Sequence, residues 1–534
     1  LNQQGAYKLS TQDRSAQLSV LPSVVPSPKR PFCPSFLRRA LTMRCCQWYF
    51  VLGLGLGIAA TGVIFLLSWR DIFDILVTEE KSLIPGSTAY KEWRRPMVHP
   101  SWQFYVYNWT NAASYLEHPD ATSASFRQLG PFTYDEHTEV VDAKYHAGNG
   151  TLSYRKRIYF RRHPVERFSG GALQHANITS INFAALLISF LSQSMDYPVQ
   201  RELSFLLHDL HQSVTSTRTI GQLLFSGYRS PLWDQARTIV CPRHHIGVLC
   251  SEERLAYFRT YNVTRKASET YSLNIGLEDR ALYGVVQSWS QGSRGKETAT
   301  ACKRFEGYTG DLFPSRLDRT QPLALVLPEF CLRLSLEYER DEIVGDIVGY
   351  RYVAKVVGAL NGEEKCNEST SNVHGYGTLI SNDCQRIPLY RYGSQENMHT
   401  MEPLKETIYF VLEPATGTVL ESYIAMKYHT LLVPNAHIAL FQDVPELYVP
   451  LFRFVRYYRL SDTTARNLTK MLHLLDVGHQ IALAGCALGG AIVLLTIMYA
   501  FWNGRKSNDK PHQRKLNVEY RIVGTQLSND GTVH

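Results

Sequence analysis

Two stretches stand apart from the mixed apolar and polar pattern of the chain. Trp48–Ser68 (WYFVLGLGLGIAATGVIFLLS) runs 21 residues without a charge, and Ile481–Trp502 (IALAGCALGGAIVLLTIMYAFW) does the same near the other end. At about 1.5 Å rise per residue, each reaches across the roughly 30 Å hydrocarbon core of a bilayer. The first is too long for the apolar region of a signal peptide, 47 residues precede it, and Trp69-Arg70-Asp71 follows in place of a small-residue cleavage site. Two transmembrane helices are therefore predicted. They divide the chain into a tail (1–47), a span (48–68), a large domain (69–480), a second span (481–502) and a second tail (503–534).

Within the large domain the texture is mainly β. Short alternating or apolar runs recur between turn residues and predict strands at Trp102–Asn108, Leu152–Phe160, Ala281–Trp289, Leu323–Leu327, Gly349–Val357, Thr407–Leu412 and His437–Phe441. One region follows the helical period instead. Ile181–Ser194 and Val199–His211 predict two helices separated by Asp196-Tyr197-Pro198, and the pattern continues through Thr219–Phe225. The picture is a β body with a helical cap. Some 410 residues are ample for one elaborate domain or two.

Charge decides which side of the membrane each segment occupies. Residues 1–47 carry seven Lys/Arg against Asp13, a net of +6; residues 503–534 carry six against three acids, a net of +3. The whole chain is +8, so residues 48–502 sum to 8 − 9 = −1. Basic residues beside a span stay in the cytosol, so both tails are expected there and 69–480 outside or in a lumen. The basic pI belongs to the tails, and the large domain gives no support to nucleic acid as a partner. Six N-x-S/T acceptors, at Asn108, Asn149, Asn177, Asn262, Asn367 and Asn467, all fall between the spans. So do six of the ten cysteines: Cys241, Cys250, Cys302, Cys331, Cys366 and Cys384. An even number in an oxidising compartment predicts three disulfides.

The first 44 residues, rich in Ser, Pro and Gln without a hydrophobic period, read as disordered. Cys45 and Cys46 abut the first span, where they are either palmitoylated or free thiols. Gly53, Gly55 and Gly57 in one span and Gly485 and Gly489 in the other allow close helix approach, either of the two spans or of two molecules in a homo-oligomer.

Several motifs in the large domain carry a family resemblance. They are Pro85-Gly86-Ser87-Thr88 with Trp93, Phe104–Asn111 (FYVYNWTN), Gly130-Pro131-Phe132, Arg218-Thr219-Ile220 and Gly227-Tyr228-Arg229-Ser230-Pro231. Further along come Phe313-Pro314, Pro328-Glu329-Phe330-Cys331, Tyr350-Arg351-Tyr352 and Glu413-Pro414-Ala415-Thr416-Gly417. Over about residues 45–505 the chain resembles the class B scavenger receptor family, which includes the lysosomal integral membrane proteins and the sensory neuron membrane proteins; in general shape it is similar to croquemort-like invertebrate members. It departs from the family pattern at Ala425, Lys427 and His429, where the family has Arg, Gln and Asn. Ile387-Pro388-Leu389-Tyr390 likewise stands in place of Leu-Pro-His-Phe.

The resemblance implies a mainly β fold with α: a distorted antiparallel β-barrel, a membrane-distal helical bundle and a hydrophobic tunnel toward the bilayer. It implies a cell-surface receptor that binds lipids, lipoproteins or the surfaces of apoptotic cells and other particles and passes lipid to the membrane. No P-loop is present, so transport runs down a gradient. The family order of cysteines implies Cys302–Cys366 and Cys331–Cys384, leaving Cys241–Cys250 to close a small loop that this chain adds. Phe183, Leu186, Leu187, Phe190 and Leu191 cover most faces of the first cap helix and are candidate ligand contacts, with core packing as the alternative. Only Arg201, beside Glu202, gives residues 181–217 a fixed positive charge, which argues against a preference for polyanions.

Other readings are a sensory co-receptor for lipophilic odorants, a lysosomal receptor for protein cargo, and a membrane-anchored ecto-enzyme. The last finds no H-E-x-x-H, G-x-S-x-G or C-x-x-C, and His244-His245 fits no familiar zinc spacing, so neither a metal nor a cofactor is expected. The second tail has no acidic dileucine signal, which favours the plasma membrane over endosome or lysosome. It does hold Tyr520-Arg521-Ile522-Val523, which fits the Y-x-x-Φ form read by coat adaptors. Tyr520→Ala is expected to raise steady-state surface level and slow antibody uptake; identical uptake by both forms would show the motif idle.

Overall fold

The computed structural model describes residues 37–162, 175–244, 249–250, 253–258, 269–291, 306–327, 332–355, 378–380, 390–392 and 408–508. Cys302, Cys331, Cys366, Cys384, Asn262, Asn367 and Tyr520 lie outside these residues, as do the side chains of Cys45 and Cys46.

The helices are α1 (Leu37–Glu80), α2 (Thr88–Arg94), α3 (Ala112–Glu117), α4 (Phe183–Ser192), α5 (Tyr197–Asp209), α6 (Pro231–Val240) and α7 (Asp462–Asn508). The strands are β1 (Ser101–Trp109), β2 (Phe126–His146), β3 (Thr151–Arg162), β4 (Asn177–Ile181), β5 (Thr215–Thr219), β6 (Glu269–Asn274), β7 (Val285–Gln291) and β8 (Gly307–Tyr308). They continue with β9 (Leu323–Leu327), β10 (Leu332–Val344), β11 (Ile347–Lys355), β12 (Thr378–Ile380), β13 (Tyr390–Tyr392), β14 (Ile408–Leu412), β15 (Val419–Leu432) and β16 (Leu447–Arg459). The described residues fall into two compact units, 37–67 with 480–508, and those within 68–479.

In the first unit, α1 and α7 supply two helical segments long and apolar enough to cross a membrane. They pack on each other through small residues. A Cβ on Gly55 would come within 2.8 Å of Ile492, one on Gly62 within 2.7 Å of the Cys486 backbone, and one on Gly489 would overlap Ala59. Trp48 and Tyr499 stack at 4.2 Å. Gly53 and Gly57 have nothing within 4 Å of their Cβ positions. Leu54, Leu56, Ile64, Leu67, Leu494 and Leu495 face outward, as lipid-facing residues do.

In the second unit a 14-stranded sheet runs β12-β13-β15-β14-β11-β10-β9-β8-β7-β6-β3-β2-β1-β16, and β16 returns to pair with β15. That last pairing closes a barrel. All its pairs are antiparallel except β8–β9. Register places residues of one parity inside: Trp102 and Phe104 of β1, Phe132, Tyr134 and Glu136 of β2, and Phe454 of β16 are all buried. Strands foreseen at Leu323–Leu327 and Thr407–Leu412 form nearly as bounded. Ala281–Trp289 is split: Arg280–Leu282 is a 3₁₀ turn and β7 begins at Val285. The break is Gly284, whose φ of +88° suits only glycine and whose Cβ would come within 2.7 Å of Leu312 O. His437–Phe441 is not a strand. Ala439–Phe441 forms a 3₁₀ turn, and Phe441 is apolar because it fills the core. Thr219–Phe225 is likewise not a continued α-helix; β5 ends at Thr219 and a π-turn, Gln222–Ser226, follows.

The cap is α4, α5 and α6. Asn182 Oδ1 accepts from the Ala185 N–H at 3.3 Å and starts α4. Pro198 and Pro231 sit in the first turns of α5 and α6, where a missing N–H costs nothing. α5 buries Val199, Leu203, Leu206 and Leu207 and exposes Tyr197 and Phe205. α4 is apolar on most faces because it is enclosed on nearly every side; only Phe190 is half-buried. Asn435 Nδ2 donates to Ser189 O at 3.0 Å and pins α4 to the loop after β15. Cys241 and Cys250 form a disulfide with Cα atoms 5.7 Å apart.

Leu187 is fully buried in this packing. Leu187→Glu is expected to destabilise the cap by about 3–5 kcal/mol, so that glycan maturation, surface expression and fatty-acid uptake fall together. Lost uptake with normal maturation would instead put α4 on a ligand route.

Candidate functional site

A cavity of about 940 Å³ lies inside the barrel unit, at the upper end of the usual range for ligand sites. Its wall comes from the end of α1 and the loop after it, α2, β1–β3, the loops 309–313 and 416–418, β15, β16 and the first turns of α7. Apolar surface is supplied by Leu76, Leu83, Trp93, Ile424, Phe454 and Leu468, among others.

Charged side chains share that wall. Glu136 on β2 is buried, and its Oε2 accepts from Arg456 Nε on β16 at 2.7 Å and from Trp102 Nε1 at 2.5 Å. Its Oε1 accepts from Thr138 Oγ1 at 3.0 Å. Burial pushes the Glu136 pKa up, but the Arg456 charge and these donors outweigh it and hold the carboxyl below its ordinary range. Lys156 Nζ on β3 donates to Asp311 at 2.5 Å. Asp311 is open to the cavity yet enclosed by protein on a wider scale. Desolvation raises its pKa, and Lys156 and Arg456 together bring it below the usual value.

The third feature is Lys81, immediately after α1. Its Nζ donates to Phe313 O at 2.9 Å and to Thr416 O, and sits 4.7 Å from the centre of the Tyr283 ring. Thr416 is presented by the turn Glu413–Gly417. The Glu413 carboxylate there accepts from the N–H groups of Ala415 at 2.9 Å and Thr416 at 2.7 Å, and Gly417, with φ +68°, lies so close to Pro314 O that a Cβ would overlap it. Burial lowers the Lys81 pKa from 10.5 to about 7, against the opposing pull of Glu413.

Rings connect this cavity to the cap. Phe183 of α4 meets Tyr257 at 5.6 Å, Tyr257 meets Phe452 at 4.7 Å, Phe452 meets Phe258 at 5.1 Å, Phe258 meets Phe454 at 5.8 Å, and Phe454 meets Trp102 at 4.8 Å. Phe183, Leu186, Leu187 and Leu191 belong to the packed core with Phe190 against it, and none of the five lines this cavity. Asn149, Asn177 and Asn467 are exposed, and Asn467 borders the cavity. Asn108 is half-buried, its Oδ1 accepting from the Thr179 N–H at 2.8 Å. His244 lies against Asp196 at 3.3 Å. Ala425, Lys427 and His429, the departures from the resembled pattern, are all buried on β15. The inward charges Glu136, Arg456 and Lys156 and the half-buried Lys81 were not singled out from the sequence. The available signal was parity: Phe132-x-Tyr134-x-Glu136 and Phe452-x-Phe454-x-Arg456 set a charge on the apolar face of each strand.

Residues 51–500 match the CD36 family, and the chain belongs to that family. Among curated relatives it is similar to Protein peste of Drosophila melanogaster, with 22% identity covering 85% of this chain and 82% of that one. It is similar to sensory neuron membrane protein 1 of Ostrinia nubilalis at 21%, covering 79% and 85%. It is similar to scavenger receptor class B member 1 of Rattus norvegicus at 20%, covering 86% and 92%.

Arg456→Met would leave the Glu136 carboxylate buried without its cation. A loss of about 3–5 kcal/mol is expected, read as a fall in the melting temperature of the secreted barrel domain, with much of it recovered in Arg456→Met/Glu136→Gln.

Proposed function

We propose that this protein is a plasma-membrane receptor that takes lipid from lipoproteins or particles into the barrel and releases it to the bilayer without energy input, with both tails in the cytosol. The observation that carries this reading is the cavity of about 940 Å³, whose wall mixes apolar surface with a few paired charges. An acyl chain gains about 0.8 kcal/mol for each CH₂ removed from water, so a cavity of this size can shelter a lipid tail about as well as an apolar carrier does, and exchange between the two runs down a gradient. The paired charges at Glu136–Arg456 and Lys156–Asp311 offer a polar headgroup hydrogen-bonding partners without a large net charge. The chain's family and its likeness to scavenger receptor class B member 1 support the receptor class.

The test is native mass spectrometry of the purified external domain. The domain is expected to carry endogenous lipid. Ile424→Trp, which fills the cavity from β15, is expected to lower occupancy by about tenfold, the equivalent of roughly 1.4 kcal/mol, with normal glycan maturation. A lipid-free domain that also takes up no added fatty acid or sterol ester would overturn the reading.

A further inference from the structure

We propose that Lys81 is a covalent docking point for lipid aldehydes: its Nζ, held on the cavity wall by two backbone carbonyls, adds to the carbonyl carbon of a long-chain aldehyde and forms a reversible imine. The proposal rests on the reading of the cavity as a lipid site.

Geometry sets Lys81 apart from Lys156, Lys91 and Lys470. Its Nζ is fixed by Phe313 O and Thr416 O, both backbone groups on loops that line the cavity. A neutral amine has two N–H groups and one lone pair. With both N–H groups donated to carbonyls, the lone pair is what remains to meet a ligand. Lys156, the other lysine on this wall, is committed to Asp311 at 2.5 Å. Lys91 and Lys470 are exposed and ordinarily solvated.

Protonation agrees with the geometry. Burial brings the Lys81 pKa to about 7, against the pull of Glu413, so near neutral pH a large fraction of the amine is unprotonated. For a solvated lysine that fraction is on the order of one in a thousand. Glu79 and Glu80, which precede it at the end of α1, also line the cavity.

The step balances without a co-reactant. The nitrogen lone pair forms the N–C bond while the carbonyl π pair moves to oxygen. Two protons from nitrogen leave with that oxygen as water, and the C=N bond closes. Protonated, the imine keeps one N–H for a backbone carbonyl and places its charge near the Tyr283 ring, 4.7 Å from the present Nζ. The chemical class selected is an aldehyde at the end of a long apolar chain.

The experiment uses the full chain in nanodiscs, tetradecanal as the probe and cyanoborohydride to trap the imine as a secondary amine, followed by peptide mapping. The alkyl adduct is expected on Lys81, enriched about tenfold or more over Lys91 and Lys470, with a yield that rises as pH passes through about 7. Lys81→Arg should remove it and Lys91→Arg should not. Retention of unreactive tetradecanol is measured in parallel on the wild-type chain. Tetradecanol retained with label spread over lysines by exposure overturns the covalent proposal and leaves the lipid site standing. Tetradecanol not retained overturns the reading beneath it.

Discussion

The barrel depends on one strand, β16, having two partners. It pairs with β1 through Ser101–Val106 and with β15 from Glu421 to Leu432. Without the second pairing the sheet would be an open ribbon with unpaired backbone groups on β15 and β16. With it, hydrogen bonding closes on itself and an enclosed interior results. The same strand brings Phe454 and Arg456 to the interior, so the closure that creates the cavity also furnishes its wall.

The charges on that wall are not there to stabilise the fold. A buried ion pair roughly breaks even against an apolar replacement, and breaking it is costly. What Glu136–Arg456 and Lys156–Asp311 do provide is fixed geometry. Glu136 joins β2 to β16 across 320 residues of sequence and also takes the Trp102 N–H from β1, so three strands share one carboxylate. At the other side, Arg316 ties the loop after Asp311 to Asp71 at 2.7 Å and to buried Asp74, while Lys81 ties the end of α1 to two loops. The cavity is thus bounded by side chains whose positions are over-determined.

Much of this architecture was legible in the residues. The spans were plain because two uncharged runs each long enough to cross a bilayer stand out from the mixed pattern between them. α4 was plain because helical period and continuous apolarity coincide. Strands with clean alternation, such as β1 and β3, were found nearly to their ends. β10 was missed because charged residues interrupt its apolar parity, and β15 because its run is too continuously apolar to alternate. His437–Phe441 misled because a loop that plugs a core is as apolar as a strand. The cavity was illegible for a further reason: it is made by pairings between strands hundreds of residues apart, and only the closed register shows that Glu136 and Arg456 face each other.

Among the described residues, the row of rings from Phe183 to Trp102 packs side chain on side chain between cap and cavity. An apolar molecule crossing it exchanges contacts with the rings it displaces, so its free energy before and after differs little. The barrier lies in the moments when rings have parted and nothing yet fills the gap. Permeation through such a medium is set by how often neighbouring rings reorient together. Any passage along such a row of rings would therefore be steeply dependent on temperature and sensitive to the width of the migrant, while occupancy at equilibrium would be sensitive to neither in the same degree.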